Sequence, residues 1–208
     1  MGTLENVKRP LTLVLGIAAP VVIVFLVYEY RGDLGLGKRG SGTKINWETV
    51  DRSADGFTVQ LPEGVSATLV PAYIERGMVE QIEMIEAQVA PDTTYAVAWA
   101  ENPPVERAAG EDTEKTLNMA RDGALGRTRT TLVMESRGKI GGYASREILA
   151  RNARGGILNG RLILAGTHLY MLIGTFPSTS ARRDEDVKRF FDSFSLTNSG
   201  VTMGAPRN

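Results

Sequence analysis

The chain of 208 residues has no cysteine, which removes a disulfide framework, a thiolate metal centre and a cysteine nucleophile together. Histidine occurs once, as His168, so a metal site built from three imidazoles of one chain is excluded too. Aromatic residues make up only 7%, and Trp47, Tyr73, Tyr95, Trp99, Tyr143 and Tyr170 are spaced singly rather than grouped into a ligand box. Net charge is also missing, with 24 Lys and Arg against 24 Asp and Glu. Neutrality argues against a protein that coats nucleic acid, provided the charge is evenly spread. It is not. Residues 1–44 carry six basic and three acidic groups, residues 45–100 carry two and nine, and residues 101–208 carry sixteen and twelve.

One long uncharged stretch stands out. From Leu11 to Tyr28 there are 18 residues without a charge, twelve of them Leu, Val, Ile or Phe. At ~1.5 Å per residue the run would span about 27 Å as a helix, close to the hydrocarbon thickness of a bilayer. A globular surface helix would need a polar stripe, and this run has none. It is also long for the apolar region of a cleaved leader, and no small-x-small site comes after it. The expectation is therefore an uncleaved, single-pass signal anchor over residues 10–30, after a tail at 1–9. Lys8, Arg9, Tyr28, Tyr30 and Arg31 would stand at the membrane interfaces. Basic residues flank both sides, and Lys8 with Arg9 on a short tail favours an extracytoplasmic domain anchored in the cell membrane.

Residues 31–44 hold five glycines and read as a tether. Gly35, Gly37 and Gly40 match a dinucleotide-binding fingerprint in spacing only, because no strand precedes them. Arg31-Gly32-Asp33 is a three-letter coincidence, and the start Met1-Gly2-Thr3-Leu4-Glu5-Asn6 lacks the Ser or Thr of an acylation signal.

Residues 45–197 read as strands with two helices. Gly56 to Pro62 alternates and ends in a Pro-Glu-Gly turn, and residues 80–89 and 94–100 flank the hairpin chemistry of Ala90-Pro91-Asp92-Thr93. A polar start at Gly110 to Thr113 leads a helix through Leu117, Met119, Ala120 and Leu125. Four strands are expected at 128–135, 143–151, 157–165 and 168–176. Their links are Arg137-Gly138, Arg154-Gly155-Gly156 and Gly166-Thr167-His168, short enough to require antiparallel neighbours. Ser178, Thr179 and Ser180 offer caps to a last helix on which Val187, Phe190, Phe191 and Phe194 share a stripe. Residues 198–208 read as a flexible tail.

The fold class is thus α+β, an antiparallel meander covered by helices. Gly56-Phe57-Thr58-Val59-Gln60-Leu61-Pro62, Tyr95-Ala96-Val97, Gly160-Arg161-Leu162 through Gly166, Leu169-Tyr170 and Phe190-Phe191-Asp192-Ser193-Phe194 resemble the PsbP/Mog-like sandwich. That family includes the extrinsic lumenal PsbP protein of photosystem II and many bacterial domains. The resemblance runs from Trp47 to Leu196. It implies a fold and a habit of docking onto larger assemblies, with an energy-transducing or photosynthetic complex as one host class. The family shares no catalytic motif, so no active site carries across.

Chemistry is scarce in the residues themselves. His168 sits in an expected hairpin link without a Ser motif or carboxylate partner, so a hydrolase built on it is the weakest reading. Ser136-x-x-Lys139 matches a Ser–Lys pair but falls at an expected hairpin tip, whereas such a pair works on one helix face. Glu80, Glu83 and Glu86 repeat every three residues, yet Ile82, Met84, Ala87 and Val89 between them favour a strand with a solvated edge over a cation site. No catalytic residue, cofactor or metal is expected.

One constellation remains. Arg127, Arg129, Arg137, Lys139, Arg146, Arg151, Arg154 and Arg161 face only Glu135 and Glu147 over the same stretch. If residues 128–135 form a strand, Arg127 and Arg129 share a face, and Arg137 with Lys139 cap a hairpin. A cationic patch of this kind docks an acidic protein surface or lipid headgroups, or merely keeps a sheet soluble. The expected function is a membrane-tethered, non-enzymatic accessory or assembly subunit with protein partners in a membrane complex. The alternative is a tethered module that binds a small ligand or lipid in a pocket between sheet and helices.

Overall fold

The computed structural model describes residues 44–73, 79–101 and 111–197. The expected anchor at 10–30 with its interface residues Lys8, Arg9, Tyr28, Tyr30 and Arg31, all of the tether but Lys44, and the tail at 198–208 lie outside the described residues. Among those described, no helix is long and apolar enough to cross a membrane.

Among the described residues ten strands and two α-helices occur in order: β1 (Trp47–Arg52), β2 (Phe57–Pro62), β3 (Ser66–Tyr73), β4 (Val79–Ala90), β5 (Thr93–Glu101), α1 (Glu111–Thr128), β6 (Thr131–Ile140), β7 (Tyr143–Arg151), β8 (Ile157–Ala165), β9 (His168–Phe176), α2 (Asp184–Asp192) and β10 (Ser195–Leu196). A seven-stranded sheet runs β3-β4-β5-β9-β8-β7-β6, and a three-stranded sheet runs β1-β2-β10. Every pairing is antiparallel, as the short connections require. The α+β class and the helix-covered meander expected from the sequence are present.

Alternation decides what faces the core. On β2, Phe57, Val59 and Leu61 are fully buried while Thr58 and Gln60 are half-exposed. They pack with Tyr95, Val97 and Trp99 of β5 and Tyr170 and Leu172 of β9, and α2 closes the layer with Val187, Phe190 and Phe191, then Phe194 just beyond it. The Phe57 ring lies 5.2 Å from Trp99, 5.6 Å from Tyr170 and 5.6 Å from Phe194. Such offset and edge contacts add to simple area burial. The Tyr170 hydroxyl donates to the Asp55 carbonyl at 2.9 Å, so its polar end is satisfied. The opposite face of the large sheet carries α1, whose Leu117 packs on Leu162 and Leu169 while Leu125 meets Ile148, Ala150 and Leu158.

Several expected boundaries move. The hairpin before β7 does not turn at Arg137-Gly138, because both lie within β6. It turns at Gly141-Gly142, with φ of 57° and 88°. A two-residue turn that matches sheet twist needs positive φ at both central residues, which two glycines adopt without a Cβ clash. The strand expected from residue 128 starts at Thr131, since α1 continues to Thr128. Arg129 then sits at φ 50°. Its N–H reaches the Gly126 carbonyl (3.3 Å), and the Thr130 N–H reaches that of Leu125 (3.0 Å). That is the Schellman ending of a helix with arginine where glycine is common, at a cost of about 1 kcal/mol. The caps expected for α2 are absent as well. Ser178 Oγ accepts the Ala181 N–H in the preceding turn, and Arg183 at the N-cap makes no side-chain cap bond. Asp184, Glu185 and Asp186 fill the first turn and favour the helix electrostatically. Strand β3 was not expected from the sequence.

Candidate functional site

The eight cations expected as one patch divide into two sets. Arg146 is 1% exposed and projects from β7 toward α1. Its Nη1 donates to Asn118 Oδ1 (2.6 Å) and Glu135 Oε1 (2.5 Å), and its Nη2 to Glu114 Oε2 (2.6 Å). Arg121 Nη1 donates to the other oxygen of Glu135 at 2.8 Å, and Arg137 Nη1 lies 3.1 Å from Glu114 Oε2. Glu114, Asn118 and Arg121 recur at i, i+4 and i+7, one face of α1. Arg146 is therefore a tie between helix and sheet, not part of a docking surface. The polar stripe on α1 was the sequence signal for it.

Burial pushes the Glu135 carboxyl up, but the hydrogen bonds from Arg121 and Arg146 and their charges outweigh this and hold it below the usual carboxylate range. A carboxyl depressed on folding contributes stability that is present above its unfolded pKa of about 4.3 and lost as pH falls through the lower folded value. The unfolding free energy, followed by urea titration from pH 7 to pH 2, should fall below about pH 4. Glu135→Gln should flatten that acid limb by at most one proton's slope.

Arg161 is also engaged internally. Its Nε and Nη2 donate to Glu147 Oε1 at 3.0 and 2.6 Å, and its Nη1 donates to the Phe191 carbonyl at 2.8 Å, late in α2. Its guanidinium stands 4.9 Å from the Phe191 ring centre, a cation–π contact. A cation there also suits the helix C-terminus.

The other six are exposed and border β6. Arg127 ends α1, and Arg129 lies between that helix and β6. Arg151 pairs across the sheet with Thr131, the first residue of β6. Arg154 stands in the turn 152–156, where Asn152 Oδ1 accepts the backbone N–H groups of Arg154 (2.9 Å) and Gly156 (2.8 Å). Arg137, with its side chain 71% exposed, and Lys139 lie on β6 itself. Strand β6 is an edge strand among the described residues, and Val133 and Met134 on it are 57% and 61% exposed. A β-bulge sets Val133 out of register between Leu132 and Met134.

The remaining candidates are not brought together. Ser136 and Lys139, three apart on a strand, fall on opposite faces of β6. Glu83 and Glu86 divide in the same way on β4, and Glu83 accepts from Arg52 Nη2 at 2.9 Å. His168 opens β9 half-buried, stacks on Tyr170 with ring centres 6.0 Å apart, and has Nδ1 3.3 Å from Thr167 Oγ1. Tyr95 lies in the core, where burial, helped by the nearby Asp186 charge, pushes its phenol up and keeps it neutral. Among the described residues no group of three His, Cys, Asp or Glu side chains could hold a metal ion.

No protein-family model and no curated protein sequence matches the chain. Solved structures similar to it include cyanobacterial PsbP (CyanoP) from Synechocystis sp. PCC 6803, at 14% identity, TM-score 0.46, 77% of this chain and 98% of that one. The Ran-binding protein Mog1p of Saccharomyces cerevisiae matches at 12% identity, TM-score 0.43, 76% of this chain and 99% of that one. A Pseudomonas aeruginosa protein of unknown function matches at 9% identity, TM-score 0.33, 65% and 85%. The first two carry the names of the sandwich that the sequence pieces resemble.

Proposed function

We propose that the chain is a membrane-tethered, non-enzymatic accessory subunit whose folded domain docks onto an acidic surface of a larger membrane protein complex, on the extracytoplasmic side. The observation that carries this reading is the placing of Arg127, Arg129, Arg137, Lys139, Arg151 and Arg154, exposed around one edge of the seven-stranded sheet. Cations gathered on one side steer encounter with an acidic partner. The 18-residue uncharged run supports the tether, because a short glycine-rich link to a bilayer raises the effective concentration of the domain for neighbours in that membrane.

The test uses the full chain in its own membranes. It should stay in the pellet after an alkaline carbonate wash. After mild detergent extraction at low salt it should migrate on a native gradient well above its monomer mass. The complex should dissociate as ionic strength rises, since screening contracts from ~10 Å at 0.1 M to ~3 Å at 1 M. Arg151→Glu with Arg154→Glu should weaken it about tenfold or more, while Lys188→Glu on α2 should not. Release by carbonate refutes the anchor; a monomer at every salt concentration refutes the docking.

A further inference from the structure

The two edges of the seven-stranded sheet differ. At one edge, β3 carries Pro71, which has no N–H to offer a further strand. At the other edge β6 has no such block. Ile140 and Tyr143 flank the two-residue turn and are its closing hydrogen-bonded pair. Antiparallel pairs alternate between bonded and non-bonded, so the backbone N–H and C=O of Lys139, Arg137 and Glu135 turn away from β7, toward the outer edge. Beyond the bulge the strand keeps regular register from Met134 to Ile140, about 23 Å at ~3.3 Å per residue.

From this geometry we propose that the outer edge of β6 receives an extended, acidic segment of the protein partner as an eighth strand. The proposal deepens the docking reading above and rests on it. Backbone pairing supplies the register, and the half-exposed side chains of Val133 and Met134 supply apolar contact. Charge selects the occupant. Arg127, Arg129, Arg151 and Arg154 stand at one end of the edge and Arg137 and Lys139 toward the other. Among the described carboxylates, Glu135 bonds Arg121 and Arg146, Glu114 bonds Arg137 and Arg146, and Asp122 bonds Arg121. A second copy of the same edge brings the same cations and is repelled, and the bulge further disfavours self-pairing. An acidic strand escapes the repulsion, and it can pair along Met134 to Ile140, beyond the bulge.

The experiment separates backbone pairing from charge. Lys139→Gln removes the charge and keeps the outward N–H; Lys139→Pro removes both, at a non-bonded edge position where proline leaves the β6–β7 ladder intact. The probe is a fluorescent seven-residue peptide alternating Glu with Val, titrated onto the detergent-solubilised full chain, with amide exchange followed by NMR. The native complex is scored beside it. Lys139→Gln should weaken peptide binding two- to fivefold and Lys139→Pro more than tenfold, with melting temperatures alike. The amides of Glu135, Arg137 and Lys139 should gain protection on binding. If both variants weaken the native complex equally and no amide is protected, the strand proposal falls while charge docking stands. If neither variant matters and Arg151→Glu with Arg154→Glu is also silent, both fall. Vesicles with 30% phosphatidylserine are the competing occupant. Binding to them in place of the peptide, unaffected by Lys139→Pro beyond Lys139→Gln, overturns the proposal in favour of lipid.

Discussion

Replacing Arg146 with Met should cost about 3 kcal/mol of unfolding free energy, the low end of the range for removing one partner of a buried ion pair. The substitution keeps apolar volume between β7 and α1 but leaves three acceptors behind. Asn118 Oδ1 loses its 2.6 Å donor, Glu135 keeps Arg121, and the half-exposed Glu114 keeps Arg137. The surviving partners hold the cost at the low end. Adding Glu135→Gln to Arg146→Met should change this by less than about 1 kcal/mol, because the carboxylate that Arg146 leaves behind is still paired with Arg121 at 2.8 Å. Denaturant unfolding of the full chain can be followed through Trp99, which is 6% exposed, one of two tryptophans. A loss under about 1 kcal/mol would show that the cluster is solvated and that α1 is held by Leu117 and its neighbours alone.

Phe57→Ala should be more severe, at about 3–5 kcal/mol. The ring is fully buried and touches Trp99, Tyr170 and Phe194, so truncation opens a space bordered by three large rigid rings. Such a site collapses poorly. For a domain with a typical stability of roughly 5–15 kcal/mol, this is a fifth or more of the total. Val133→Ala, on an exposed bulge, should stay within about 0.5 kcal/mol and serves as the control. Equal midpoints for the two variants would mean the aromatic cluster is not where folding free energy is gained.

How much of this was legible beforehand depended on the range of the interaction. The α2 stripe was, because Val187, Phe190, Phe191 and Phe194 carry their period within eight residues. So was β2, where Phe57, Val59 and Leu61 alternate without interruption. The β6–β7 turn was misread because Arg137-Gly138 and Gly141-Gly142 both look like turn material, and the pairing of Ile140 with Tyr143 decides between them only in the folded sheet. Strand β3 was missed because Pro71 disguises an edge strand as a loop. Of the eight cations in the candidate patch, Arg146 and Arg161 turn inward. Arg146 meets Glu114 and Asn118, 32 and 28 residues earlier, and no local pattern on β7 announces them. The other six cations are exposed, and Arg137 among them still reaches Glu114 at 3.1 Å.

The order of the sheets also sets a schedule. Hairpins β3–β4–β5 and β6–β7–β8–β9 can each form from neighbouring sequence, but the large sheet is joined only when β9 pairs with β5. The small sheet is completed later still, by Ser195 opposite Thr58 and the Thr197 N–H on the Gly56 carbonyl at 2.8 Å. During synthesis the first half must wait, with Phe57, Tyr95 and Trp99 uncovered, until the segment near residue 197 has left the ribosome. Contacts this distant in sequence make folding slow, and a waiting half-sheet is the form most open to aggregation. Ribosome-stalled chains of increasing length should therefore gain protease resistance in one late step rather than strand by strand.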